Sequence, residues 1–405
     1  MLSAAENRMI AEVGPGTPAG EWFRRFWNPI AVSDNWDGIR THWDYSQPLM
    51  FNGEPGTVGS WSDRLGNFNG KPTPVRILGE DLVLFRDGAG RPGLISRRCP
   101  HRGTSMEFGR IQERGIACCY HGWLFDVSGK CLDMPAEPAD STFKDKVRIT
   151  AYPVEEMGGL LWTYMGPDAP PLLPRFDAYG RNDGIRAVEN FGLWPVNWVQ
   201  ICENSVDQTH TTTLHGGAGG ERSDIWGAEL PRVTWERMAF GIKATSARPG
   251  MNYTRSSYYI MPTMNRLPQP WPGGKFKWPR YSAVWRTPVD DFHTLFFSVC
   301  FTEEVDGELP ELPADLNFHV SDQLNIHREQ DFQAIVSQGA LCDRTTEGLA
   351  TSDEGVILFR KMVMEGIKAV ECGDDPLGVR RAGDPEAIID LGGDVMDGLN
   401  QLEKV

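Results

Sequence analysis

Nowhere does the chain of 405 residues run apolar for the roughly 18 residues that a bilayer crossing needs. Its opening, Met1-Leu-Ser-Ala-Ala-Glu-Asn-Arg-Met, lacks the basic stretch and apolar core of a secretory signal. Both absences point to a soluble, cytoplasmic protein. Positive charge is also short. Forty Lys and Arg face 55 Asp and Glu, a formal net charge of −15, which argues against a phosphate-binding surface and for small molecules or proteins as partners. Eight cysteines are too few for a disulfide scaffold in a chain this long, so reduced thiols are expected, some of them as metal ligands. The length suits two packed domains.

What is present changes character along the chain. A helical pattern over Ala4 to Val13 is followed by Gly14-Pro-Gly-Thr-Pro18 and the aromatic run Trp22-Phe-Arg-Arg-Phe-Trp27. From there to about Tyr152 the text consists of short β-like pieces, such as Val75-Arg-Ile-Leu and Leu82-Val-Leu-Phe, between Gly, Pro, Asn and Asp. A Pro-rich connector, Gly166 to Pro174, leads to a mixed region. This opens with a predicted helix from Asn197 to about His210, continues with strands near Ser256–Met261 and Thr294–Val299, and ends with helical patterns near Val320–Gln338 and Ser352–Val370. An all-β unit followed by a larger α+β unit is the predicted architecture. The expected boundaries are 1–40 for an N-terminal helical segment packing on the larger unit, 41–155 for the β unit and 156–405 for the larger α+β unit.

Within the β region the chain reads Cys99-Pro-His101-Arg-Gly-Thr and later Cys118-Cys-Tyr-His121-Gly-Trp. Two thiolates and two imidazoles suit a tetrahedral zinc ion or a Rieske [2Fe–2S] cluster, in which two Cys hold one iron and two His the other. The one-residue gap of Cys99-Pro-His101 sets a tight loop that favours the cluster. Gly103 and Gly122 let backbone N–H groups approach the sulfurs. Of the adjacent Cys118 and Cys119, only Cys118 keeps two residues before His121; Cys119 reads as a spectator and Cys131 as a buried apolar thiol.

A second constellation reads Glu203-Asn204-Ser-Val-Asp207-Gln-Thr-His210-Thr-Thr-Thr-Leu-His215. On a continuous helix Asp207 and His210 would share a face, with Glu203 beside them. His215, five residues beyond His210, would be rotated by about 140°, so the helix is expected to end or bulge there. Two histidines and a carboxylate on one face of an iron leave positions for O₂ and substrate. A polar helix with structurally satisfied histidines is the competing reading.

Together these segments resemble the Rieske non-haem iron aromatic-ring oxygenases, in their oxygenase (alpha) component. Cys99-Pro-His-Arg-Gly, Cys118-Cys-Tyr-His-Gly-Trp-Leu-Phe-Asp126 and Gly129-Lys-Cys-Leu-Asp-Met-Pro135 carry the cluster part of that likeness, and Glu203 to His215 the iron part. Gly14 to Trp27, and Arg328 through Glu354, are similar to the phthalate 4,5-dioxygenase group. The resemblance implies an all-β Rieske domain and a helix-grip-like α+β catalytic domain, carrying one [2Fe–2S] cluster held by Cys99, His101, Cys118 and His121. It further implies one mononuclear Fe(II) held by His210, His215 and a downstream carboxylate. Asp331 is the best candidate for that third ligand, with Asp322 and Glu329 as alternatives. Asp207 would bridge one iron-ligand His to His121 of a neighbouring subunit in a head-to-tail homotrimer, with Asn204 beside it. Thr104 and Tyr120 stand where high-potential relatives carry extra cysteines, so the cluster resembles the low-potential kind.

The implied activity is NADH-driven mono- or dihydroxylation, or O-demethylation, of an aromatic and carboxylated compound, served by a reductase with FMN and a plant-type [2Fe–2S] centre. Arg248, Arg255 and Asn265 are candidate substrate contacts from the segment between His215 and Trp285. The other classes of function are a Rieske electron carrier without catalysis and a zinc-stabilised binding protein.

Overall fold

The structure, a computed structural model, describes residues 1–36, 39–42, 50–51, 54–55, 66, 68–215, 229–249, 254–268, 280–309, 330–392 and 396–397. The Gly216–Gly220 segment, Asp322 and Glu329 lie outside the described residues.

Local sequence explains the helix ends. Ser3 caps Ala4–Ala11 and exchanges hydrogen bonds with Glu6 in a capping box. Thr17 caps Pro18–Phe23, with Pro at the first turn where no backbone N–H is needed. Asn197 caps Trp198–Val206 through the N–H of Val199. The long helix Glu354–Glu371 buries Val356, Phe359, Val363, Ile367 and Val370, a stripe at the three- and four-residue spacing of one helix face.

The β unit contains two four-stranded sheets. One runs Ala151–Tyr152, Pro92–Ser96, Glu80–Arg86 and Thr73–Ile77, and the other Cys131–Asp133, Leu124–Phe125, Gly115–Ala117 and Arg110–Gln112. Its small core of Val83, Phe85, Ile95, Met106, Ile116 and Phe125 includes Cys99 and Cys118.

The large sheet carries Arg232–Arg237, Gly241–Ala247, Thr254–Ile260, Met264–Pro268, Arg280–Asp290, His293–Glu303 and Gly184–Trp194 in antiparallel order. Ile39–His42 adds a parallel edge strand beside Gly184–Trp194. Both faces of its central strands are buried, so alternation appears as a contrast of size rather than of exposure. Tyr281, Ala283, Trp285, Phe297, Val299 and Phe301 fill one core. On the reverse face the same two strands present Ser282, Val284, Arg286, Phe296, Ser298 and Cys300, all buried.

That reverse face is covered by the helix Trp198–Val206. Ile201 packs with Val284, Phe296 and Phe332. The N-terminal aromatic run holds the start of this helix, with Phe23 edge-on to Trp198 at 4.7 Å between ring centroids. Phe359 of the long helix meets Trp198 from another side at 6.1 Å. One buried tripod of aromatic rings thus fixes the element from which the second constellation is built.

Candidate metal centres

The two loops of the first constellation repeat one hydrogen-bonding plan. Gly103 N–H donates to the Cys99 carbonyl and Cys99 N–H to that of Thr104; Gly122 N–H donates to the Cys118 carbonyl and Cys118 N–H to that of Trp123. Both glycines sit at positive φ, +75° and +73°, where a side chain would strain the turn. The plan buries both sulfurs and leaves His101 exposed and His121 half-buried. The imidazoles lie 4.5 Å apart between centroids, and Trp123 stacks flat on His101 at 4.3 Å.

Burial pushes the Cys99 thiol up to about 11; neighbouring Cys118 adds to this, while the backbone N–H groups of His101 and Arg102 oppose it. Two buried sulfurs in contact therefore need a cation to stand as thiolates. Partial burial, followed by His101 and Arg102, holds the His121 imidazole below its ordinary value, which favours the neutral form that ligates metal.

A sulfur pair at one end and an imidazole pair at the other fit the two separated irons of a Rieske cluster.

The second constellation is built differently from the expected helix. The helix ends at Val206, and Asp207 is its extended C-cap. Asp207 and His210 therefore do not share a helix; Asp207 Oδ1 instead accepts from Thr209 N–H at 2.7 Å in a local turn. The run Thr211–His215 forms a π-helical turn. Its five-residue repeat brings His215 round toward His210, where an α-helix would turn it away.

Glu203 also departs from expectation. It accepts two hydrogen bonds from Arg344 and one from Arg360, pointing away from the histidines. Asn204 faces them in its place, with Nδ2 3.3 Å from Asp331 Oδ1 and 3.4 Å from His210 Nε2.

Asp331, among the helical residues 330–336, completes the group. His210, His215 and Asp331 have ligand atoms all within 4.8 Å of one another, with 3.4 Å between His215 Nε2 and Asp331 Oδ1. On its far side His210 Nδ1 lies 3.4 Å from Asp207 Oδ2. Burial pulls the His210 imidazole down, but Asp207 and Asp331 outweigh it and raise it above its ordinary value. Burial opposes ionisation of Asp331, yet His215, His210 and Asn204 hold its carboxyl below the usual range. Two imidazoles and a carboxylate aimed at one point fit a divalent metal with open positions on the remaining side.

The three candidate substrate contacts are scattered. Arg248 donates to the hydroxyls of Thr212 at 2.5 Å and Thr211 at 2.7 Å, gripping the π-helical turn. Arg255 is half-buried at the start of its strand, its backbone paired with Ser246 and Met396. Asn265 is buried on the reverse face of the large sheet, opposite Val284, and its Oδ1 has no hydrogen-bond partner. Arg286 lies on the same face.

Comparison with known proteins agrees with this geometry. Residues 61–153 match the Rieske [2Fe-2S] domain family. The chain is 32% identical to the 5,5'-dehydrodivanillate O-demethylase oxygenase subunit of Sphingobium sp., over 94% of this chain and 84% of that one. It is 34% identical to the phenoxybenzoate dioxygenase subunit alpha of Ectopseudomonas oleovorans, over 91% and 87%. The fold is also that of Pseudomonas putida CBB5 NdmA with caffeine, at TM-score 0.64 and 21% identity over 87% of this chain and 93% of that one. By this extended similarity the chain belongs to the Rieske non-haem iron oxygenases, as a terminal oxygenase component with a [2Fe–2S] cluster and a mononuclear iron.

Proposed function

We propose that this oxygenase hydroxylates or O-demethylates an aromatic compound, with Cys99, His101, Cys118 and His121 as cluster ligands and His210, His215 and Asp331 as iron ligands. The observation that carries the assignment is the convergence of the ligand atoms of His210, His215 and Asp331 within 4.8 Å of one another. The cluster supplies single electrons and the mononuclear iron supplies O₂ activation, redox chemistry that no side chain here provides. Relatives named as a 5,5'-dehydrodivanillate O-demethylase, a phenoxybenzoate dioxygenase and a phthalate 4,5-dioxygenase oxygenase subunit support an aromatic substrate.

The protein's own groups have three tasks. Asn204 donates to Asp331 and faces His210, fixing both ligands. Arg248 clamps the turn that carries His210 and His215. Asp207 holds His210 Nδ1 and, in this reading, also meets the half-buried imidazole of His121 on a neighbouring subunit. Head-to-tail contacts of that kind close into a ring, a homotrimer. The large exposed side chain of Tyr120, 3.9 Å from the His121 ring between centroids, supports its being covered by another subunit. The electron donor is a separate redox protein. A reductase with FMN and a plant-type [2Fe–2S] centre, fed by NADH, is the proposed form, and a neighbour solved as the complex of oxygenase and ferredoxin in carbazole 1,9a-dioxygenase supports a protein donor.

The test is substrate-dependent O₂ uptake by the anaerobically purified protein with NADH and a reductase, screened over aromatic acids and methoxylated aromatics. Uptake coupled to hydroxylated or demethylated product is expected. A red-brown protein that passes electrons yet consumes no O₂ with any aromatic would leave only the electron-carrier function.

A further inference from the structure

A neutral imidazole carries one hydrogen on its two nitrogens, and it can ligate a metal only through the bare one. His210 and His215 both turn Nε2 toward Asp331, at 3.7 Å and 3.4 Å from its Oδ1. What stands at Nδ1 therefore decides whether each ring offers the metal a lone pair or a hydrogen. At His210 it is the Asp207 carboxylate, with Oδ2 at 3.4 Å. At His215 it is an amide, with Gln330 Oε1 at 3.0 Å.

Gln330 and Asp331 are consecutive residues, and they face opposite nitrogens of the same ring. Successive helical side chains point about 100° apart, so a ring seated between two of them is gripped from both sides by one turn. That turn is itself anchored. Residues 330–336 are helical, and Phe332 packs edge-on to Trp194 at 4.9 Å between centroids, in the core of Ile201, Val284 and Phe296. Gln200 Nε2 donates to the Ile335 and Gly339 carbonyls at 3.4 Å and 3.0 Å, which holds the far end. His215 is only 6% exposed, so water has little access to take over the Gln330 contact.

An amide oxygen can only accept. Facing Gln330 Oε1, His215 Nδ1 must carry the hydrogen, and Nε2 is left bare on the side of Asp331. The opposite placement of the amide would aim N–H₂ at Nδ1 and put the hydrogen on Nε2, where the metal belongs. The two histidines also differ in the charge of their partners. A carboxylate raises the basicity of the ring it accepts from more than a neutral amide does, so His210 is made the stronger donor and His215 the weaker.

We infer that Gln330 is a positioning residue for the mononuclear iron: its amide oxygen fixes His215 as the Nδ1–H tautomer with Nε2 toward the metal, and its neutrality keeps the two imidazoles unequal. This rests on the reading of His210, His215 and Asp331 as iron ligands and adds a residue that acts through one of them.

The test uses wild type, Gln330→Met and Gln330→Glu, each with its cluster intact and its mononuclear iron removed by a chelator. Methionine keeps the length of the side chain without the acceptor; glutamate keeps the acceptor and adds a charge. Anaerobic calorimetric titration with Fe(II) is expected to show an affinity about 10- to 100-fold lower in Q330M, and recovered to at least the wild-type value in Q330E. The reduction potential of the reloaded iron, followed by the EPR signal of its ferric state, should fall in Q330E, because a carboxylate partner makes His215 a stronger donor and favours the ferric ion. A side chain that merely filled space would leave that potential unmoved. Wild-type affinity in Q330M, an equal loss in both variants, or an unshifted potential in Q330E overturns the positioning role; if Q330M does not fold, the potential of Q330E decides alone. Failure of the iron-ligand reading looks different, since the wild type stripped of iron would itself take up no Fe(II).

Discussion

At the residue scale, the metal site is a set of side chains each held by something other than the metal. Asp207 is the sharpest case. Its carboxylate touches His210 on the side away from Asp331, and the Thr209 N–H fixes its other oxygen. Replacing it with Ala should leave the cluster's visible spectrum intact and nearly abolish product formation, measured under steady-state turnover with NADH; undiminished turnover would remove Asp207 from the electron path. Glu203 has an effect of another kind. Arg344 is fully buried and has that carboxylate as its ion-pair partner, and Arg360, nearly as buried, shares it with Glu347 as a second partner. Glu203→Ala should destabilise the fold by about 3–5 kcal/mol, read from denaturant midpoints, because it leaves buried guanidinium charge uncompensated. Sequence spacing could not reveal this, since Arg344 and Arg360 lie 141 and 157 positions away.

Elements rather than residues explain why five positions separate His210 from His215. The helix ends early because Asp207 takes an extended cap conformation, and the three threonines that follow give χ1-restricted, β-branched side chains little reason to continue an α-turn. A π-helical turn then carries the second histidine round, held from outside by Arg248 through Thr211 and Thr212. Arg248→Met should loosen that turn and lower iron affinity about tenfold or more, measured as Fe(II) retained after gel filtration, while the cluster is unaffected. Full retention would reduce the arginine to a packing role. The two sulfur loops were more legible in the sequence because their design is local: ligand, small residue and positive-φ glycine lie within six positions in each. Legible too were the histidines and the break near them, but not the place of the break. Cap geometry at Asp207 depends on a single ψ value that spacing does not encode.

For the whole molecule, the division into a β unit with buried sulfurs and a large sheet beneath a helix separates electron storage from the place where substrate reacts. The strand pattern predicted the β unit and the α+β unit because both rest on periodicity. It did not predict that both faces of the large sheet would be buried, one filled with aromatic rings and the other lined with serines, since neither face is exposed enough to alternate with water. A chelator applied to the reduced protein should strip the mononuclear iron selectively, because three protein ligands leave the rest of its coordination open, and leave the sulfur-held cluster in place. O₂ uptake should then vanish and return on adding Fe(II); loss of the visible spectrum together with activity would mean that the two centres are not independent.

Iron content of the anaerobically purified protein tests the central claim most directly when wild type and Asp331→Ala are compared at equal cluster absorbance. The geometry predicts about three irons per chain in the wild type and about two in D331A, the missing one being that held by His210, His215 and Asp331. The same iron count in both proteins, or zinc in the wild type, would contradict it.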